Sequence, residues 1–184
     1  MVPARDAAWQ LLSEYLTAES LRRHCLAVEA AMRAYARHYG EDENEWGICG
    51  LLHDFDYERF PTREGHPAEG VKVLRARGYP EEILNAILGH ADYLGVPRES
   101  RMAKCLFAVD ELCGFLMALA HVRPQHFEGM APDSVERNLK KKGFAVNIHR
   151  EEIDRGVAEL EVDRAEHFTR VIAALNEIAL QLGF

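Results

Sequence analysis

Apolar side chains recur along most of this chain at intervals of three and four, the period of an α-helix with one buried face. Residues 5–16 place Ala8, Leu11, Leu12 and Tyr15 on one side. Ser20 is positioned to cap a second helix that runs to about His38 and stops before Gly40. Its apolar stripe is Leu21, His24, Val28, Ala31, Met32 and Tyr35. A third helix is predicted from about Glu43 to Asp54. The pattern then fails from Phe55 to Gly65, where Pro61 and Gly65 act as breakers, and this stretch reads as a loop.

His66-Pro67 is a start signal. Proline suits the first helical position, where its missing N–H would have been an orphan, and it pushes the residue before it out of the α region. His66 is therefore expected at the N-cap of a helix ending near Gly78. Pro80 opens another, with Glu81 and Glu82 in its first turn, that ends near Gly95. The next runs from about Arg101 to His121. Asp133 and Glu136 have the spacing of a capping box and predict a short helix to Gly143. Residues 149–160 read as a weak helix with Gly156 inside it. Asp163 and Glu166 repeat the capping pattern before a last helix carrying Phe168, Val171, Ile172, Leu175, Ile178 and Leu182. No segment alternates with the period of a strand, so the predicted fold is all-α.

The 184 residues suit one helical domain, and with 48% hydrophobic residues a sizeable core can form. No stretch approaches the roughly 18 consecutive apolar residues of a membrane span, and the first residues lack a signal-like apolar run. The expected compartment is the cytoplasm, with no membrane partner. A net charge of −8 argues against a protein that grips a nucleic-acid backbone. Cys25, Cys49, Cys105 and Cys113 form no Cys-x-x-Cys, which disfavours a thiolate zinc site; reduced, buried cysteines are expected. The last helix could pack on its own core or on a second copy, so a homodimer is one arrangement the pattern permits.

The informative chemistry is the series His24, His53-Asp54, His66, His90 and Asp110. Four imidazoles and two carboxylates suffice for one metal ion, or for two sharing a carboxylate. His24 lies on the apolar stripe of its helix, and His90 is in register with Ile83, Ile87 and Leu94. Asp110 falls on the almost uncharged run from Cys105 to Ala120, where an ionised carboxylate costs several kcal/mol unless a cation or hydrogen bonds compensate. His53 and Asp54 diverge by about 100° on a regular helix, so both reach one ion only near a helix end. Taken singly, each has a plainer reading: a hydrogen-bonded core histidine, an acid paired with arginine, an N-cap. His38, His121, His126, His149 and His167 read as solvated or structural. Among basic residues, Arg59 and Arg63 lie in the loop after His53-Asp54, which would border any ion held there. The cluster Arg137, Lys140, Lys141 and Lys142 is ordinarily a solvated face. Glu111 is either a partner of Asp110 or a solvated helix residue.

The order His … His-Asp … His … His … Asp resembles the HD-domain superfamily of metal-dependent phosphohydrolases, in particular a bacterial branch with all six ligands. Leu51-Leu52-His53-Asp54, "GHPAEGVKVL" (65–74) and "HADYLGVPRESRMAKCLFAVDELCGF" (90–115) carry the likeness, which spans about residues 20–121. The resemblance implies a helical bundle over that span and a C-terminal helical extension over about 133–184. It implies one or two divalent transition ions, Mn, Fe, Co, Ni or Zn. One would be held by His24, His53, Asp54 and Asp110, the other by Asp54 as a bridge with His66 and His90. His66 follows Asp54 by only 12 positions, a shorter gap than in several dinuclear members, so it either completes the second ion or contacts a phosphate. Asp54 would bridge the ions and orient a nucleophilic water for hydrolysis of a small phosphate ester, a nucleotide among the candidates, with Arg59, Arg63 and Lys142 as candidate phosphate contacts. The same pattern also resembles mixed-valent di-iron oxygenases similar to inositol oxygenase. A non-catalytic, metal-stabilised helical module is the third reading.

Overall fold

The computed structural model describes residues 2–184. In chain order the helices are α1 (Arg5–Tyr15), α2 (Glu19–Tyr39), α3 (Glu43–Leu52), α4 (Ala68–Ala76), α5 (Glu81–His90), α6 (Arg101–His121), α7 (Pro132–Leu139), α8 (Arg150–Leu160), α9 (Arg164–Glu177) and α10 (Ala179–Leu182). A single 3-10 turn, Asp92–Leu94, follows α5, and no strand occurs among the described residues. No helix is long and apolar enough to cross a membrane. The all-α expectation holds.

Two helices form the centre. Every residue of α3 from Trp46 to Leu52 is buried. Asp42 starts it, accepting from the Asn44 and Glu45 amides at 2.8 Å each, which satisfies two of its orphan donors. Close approach to α2 depends on Gly50, where a Cβ would lie 2.8 Å from the Val28 carbonyl oxygen. α6 is the second central helix, capped by Ser100 and buried along most of its length. Its Ala108 is crossed by α8 at Gly156, where a Cβ would come within 2.6 Å of the Ala108 Cα. Gly156, a weak point by propensity, is therefore what permits the crossing. α9 covers the far side with Phe168, Val171, Ile172 and Leu175 buried against the chain's own core. His167 ties it down: Nε2–H donates to the Ala108 carbonyl at 3.1 Å, and Nδ1 accepts from the Tyr35 hydroxyl. The four cysteines are free and fully buried, as expected. Arg98 joins the end of α5 to α8, donating to the Gly89 carbonyl at 2.8 Å and to both Glu159 oxygens at 2.7 Å.

Three predicted starts move. α2 begins at Glu19, one residue before the expected Ser20 cap, because the Glu58 carboxylate takes the preceding Thr17 and Ala18 amides at 2.7 and 3.0 Å. α7 begins at Pro132, whose fixed φ suits the first helical position, so Asp133 is not its cap and Glu136 pairs with Arg164 instead. α4 begins at Ala68, with Pro67 flanking it rather than inside it. Only Asp163 caps as its spacing predicts, accepting from the Glu166 amide at 2.9 Å.

Candidate metal centre

The six residues of the sequence series arrive from five elements. His24 projects from the first third of α2, and Asp110 from the middle of α6. His53 is the C-cap of α3, and the backbone turns immediately after it, which lets Asp54 swing to the same side. His90 is the last residue of α5, and His66 ends the turn before α4. Ring centroids lie 5.2 Å apart for His24–His53, 5.2 Å for His53–His90 and 5.3 Å for His66–His90.

The Nε2 atoms converge on the two carboxylates. Asp110 Oδ1 is 3.0 Å from His24 Nε2 and 3.4 Å from His53 Nε2. Asp54 Oδ2 is 3.5 Å from His53 Nε2, while Asp54 Oδ1 faces His66 Nε2 at 3.2 Å and His90 Nε2 at 3.3 Å. Asp54 thus offers one oxygen to each half of the cluster. His24, His53 and Asp110 form one group whose ligand atoms lie within 4.8 Å of one another, and His53, Asp54 and His90 form another.

The other nitrogen of three rings is fixed by the protein. Nδ1–H donates to the Gly50 carbonyl from His53 at 2.8 Å, to the Ile87 carbonyl from His90, and to Asp56 Oδ1 from His66 at 2.7 Å. Each bond leaves Nε2 as the lone-pair nitrogen, the tautomer a metal requires. Asp56 was not singled out by the sequence; the only hint is the alternation Asp54-Phe55-Asp56 in a stretch that otherwise reads as loop. Fully buried, it also accepts from the Gly70 amide at 2.8 Å. That bond explains the moved start of α4: the first-turn amide takes its partner from Asp56, so the His66 ring is released from capping and turns to the cluster.

Whether these donors suit a cation can be judged from the protein itself. His53 Nε2 is fully buried and has no hydrogen-bond partner. Such an atom costs about 1–3 kcal/mol unless something else satisfies it. Donors about 2.1 Å from an ion stand about 3.0 Å apart at octahedral edges and about 3.4 Å apart at tetrahedral ones. The nitrogen–oxygen spacings of 3.0–3.5 Å match that scale. Mixed nitrogen and carboxylate donors suit Mn, Fe, Co, Ni or Zn better than Mg or Ca. The residues fit a divalent transition ion.

Electrostatics agree. Burial alone would push both carboxyls up, yet the facing imidazoles hold Asp54 and Asp110 far below the usual carboxylate range. Burial alone would push His53 down, but the charges of Asp54 and Asp110 raise it well above the ordinary value. His66 rises to about 9, because hydrogen bonds and charge from Asp54 and Asp56 outweigh its burial. The carboxylates thus favour a proton on His53 and His66, and a cation held there would take the place of those protons.

A cavity of about 680 Å³ opens over the cluster, lined among others by Tyr57, Arg63, Tyr93, Glu111, His149 and Glu152. Arg63, a predicted phosphate contact, is on its wall, 5.0 Å from the Tyr93 ring centroid. Two other expected contacts are elsewhere. The Arg59 guanidinium lies 3.7 Å over the Tyr15 ring and donates to the Glu14 carbonyl, which draws it onto α1. Lys142 is exposed in the turn after α7 and does not line the cavity, because Arg150 gathers that turn's carbonyls and its lysines are left in solvent. His149, expected to be merely solvated or structural, is on the cavity wall with Glu111; no sequence period linked them, since they are 38 residues apart.

A family model described as HD domain matches residues 21–114, just over half the chain, and the match encloses all six residues of the cluster. Neither the curated proteins nor the solved structures contain a match.

Proposed function

Since the chain belongs to the HD-domain family, we propose that it is a metal-dependent phosphohydrolase acting on a small phosphate ester. The observation that carries this reading is the convergence of four histidine Nε2 atoms on two carboxylates, one of those nitrogens buried without a hydrogen bond. His24, His53, Asp54 and Asp110 would hold one ion, and Asp54, His66 and His90 the other. Such ions supply charge neutralisation at phosphoryl oxygens and lower the pKa of water toward ~7.

The chain's own residues do the rest. Asp54, with one oxygen toward each half of the cluster, orients the attacking water. Arg63 is the one guanidinium on the described cavity wall and would pair with a phosphoryl oxygen. Around it stand Asp92, Glu111, Glu151 and Glu152. Asp92 is already paired with Arg98 and Arg155, and Glu111 with His149, but Glu151 and Glu152 would repel a polyphosphate tail. The wall therefore favours a substrate with one phosphoryl group, and the cavity has room for a nucleoside monophosphate.

The test is turnover. Purified protein supplied with Mn or Co is assayed for phosphate release from a panel of monoesters, diesters and nucleoside triphosphates. Hydrolysis of monoesters in preference to triphosphates is expected. No release from any of them, with ions bound, would overturn the reading.

A further inference from the structure

His149 occupies an unusual position for a residue on a cavity wall. Its backbone amide donates to Glu111 Oε2 at 3.1 Å, and its ring Nδ1–H donates to Oε1 of the same carboxylate at 2.9 Å. Two bonds to one carboxylate fix the ring and its tautomer, leaving Nε2 as the nitrogen without a protein partner. Glu111 follows Asp110 directly on α6, so this pair is anchored beside the cluster. From the other side Arg150 secures the segment, donating to the carbonyls of Leu139 at 2.8 Å and Ala145 at 3.2 Å. Ile148 packs over Gly114, where a Cβ would meet its Cδ1 at 3.1 Å. His149 is thus held between α6 and the end of α7, although its side chain is 62% exposed.

Hydrolysis of an alkyl phosphate has a second requirement besides an attacking water. The departing oxygen is a poor leaving group unless it receives a proton. On this cavity wall an imidazole gives one near neutral pH more readily than the Tyr57 and Tyr93 phenols. Tyr93 donates its hydroxyl proton to the His66 carbonyl at 2.7 Å. Arg63 does not deprotonate in proteins. His24, His66 and His90 are turned to the carboxylates. His149 is the imidazole left over, and a carboxylate on its far nitrogen is the arrangement that keeps an imidazolium charged and aimed.

We propose that His149 is the general acid of the reaction, with Glu111 as its positioning residue; this rests on the phosphohydrolase reading. The water oxygen forms a bond to phosphorus as the phosphorus–ester oxygen bond breaks. The bond pair stays on the ester oxygen, which takes the proton from His149 Nε2 and leaves as the alcohol. The attacking water's proton passes to solvent, and the neutral imidazole recovers a proton from the open side of the cavity. The charges facing the ring agree with the role: Glu111 from α6 first, then Glu152 and Glu151 from α8, raise its affinity for a proton against the smaller effect of burial.

Leaving-group dependence tests this. Wild type, His149→Gln, Glu111→Gln and Glu111→Asp are compared on an alkyl phosphate such as glycerol 2-phosphate and on p-nitrophenyl phosphate, whose phenolate departs without a proton. His149→Gln should lower kcat on the alkyl ester by on the order of 10²- to 10⁴-fold, and on the aryl ester by less than about tenfold. NMR titration of the metal-free protein gives a readout independent of turnover. The His149 ring should titrate above 6.5, return toward 6.5 in Glu111→Gln, and be partly restored in Glu111→Asp. Equal losses on both esters with a lowered Tm would make the pair a structural clasp and overturn the proposal. Perturbation of the His149 ring by added Mn at a site with Glu111 and Glu152 would do the same. An active wild type with an indifferent His149→Gln removes this inference alone; a wild type that holds ions and is inert on the whole ester panel removes the phosphohydrolase reading with it.

Discussion

Replacing Asp56 by Asn changes one oxygen to nitrogen at a site 0% exposed, and the consequences can be worked through. The native carboxylate accepts two bonds, from His66 Nδ1–H at 2.7 Å and from the Gly70 amide at 2.8 Å. An amide in the same place has one acceptor. If its oxygen stays with Gly70, its NH₂ faces His66 Nδ1 and forces the imidazole proton onto Nε2, the atom that points at Asp54. If its oxygen serves His66, the NH₂ opposes the Gly70 N–H, and a buried donor loses its partner at about 1–3 kcal/mol. Relief by movement is blocked, because Gly70 lies so close that even a Cβ there would be 2.6 Å from Asp56 Cγ. The first arrangement would weaken His66 as a ligand to the second ion proposed above. Loss of such an outer hydrogen bond costs about 10–100-fold in metal affinity, or about 1.4–2.8 kcal/mol. Competition titration with a chromophoric chelator, followed by metal analysis, should show one ion weakened by that factor in Asp56→Asn and the other unchanged. Two ions held with wild-type affinities would refute the assignment of His66 as a ligand and of Asp56 as its support.

Two further outcomes concern stability. Burial pushes His167 down to about 4, so this ring folds neutral while the unfolded chain protonates it near 6.5. Its contribution is complete above about pH 6.5 and is lost as pH falls toward 4, by up to about 3 kcal/mol. Urea unfolding between pH 7 and 4 should therefore show a shallower acid loss in His167→Gln than in wild type, and parallel profiles would contradict the burial argument. Gly156→Ala places a methyl 2.6 Å from the Ala108 backbone and should destabilise by about 1–3 kcal/mol, whereas helix propensity alone predicts a gain. A raised Tm would show that α8 can move away from α6 at little cost.

The helices were legible because their apolar stripes are regular: α6 falls on its predicted limits, Arg101–His121. Starts were less legible where a distant side chain supplied the cap. Glu58 serves the amides before α2 from 40 residues away, and Asp56 serves α4 from across a turn, and neither partner is visible in a local window. The cluster itself could be read because His24, His90 and Asp110 interrupt apolar faces, where a polar residue needs a reason. The cavity wall could not. Arg59 and Arg63 sit in the same loop, yet a Tyr15 ring captures one while the other reaches the cavity. His149 and Glu111 meet only because α8 crosses α6 at Gly156, a contact that no period in the sequence encodes.

Metal content with anomalous scattering tests the central claim most directly. Protein purified without chelator and offered Mn, Fe, Co, Ni and Zn in turn should retain one or two ions, with anomalous peaks between the end of α3 and the middle of α6, in contact with Asp54. Protein that stays metal-free under every condition, or that holds its ions away from His53 and Asp54, would contradict the account.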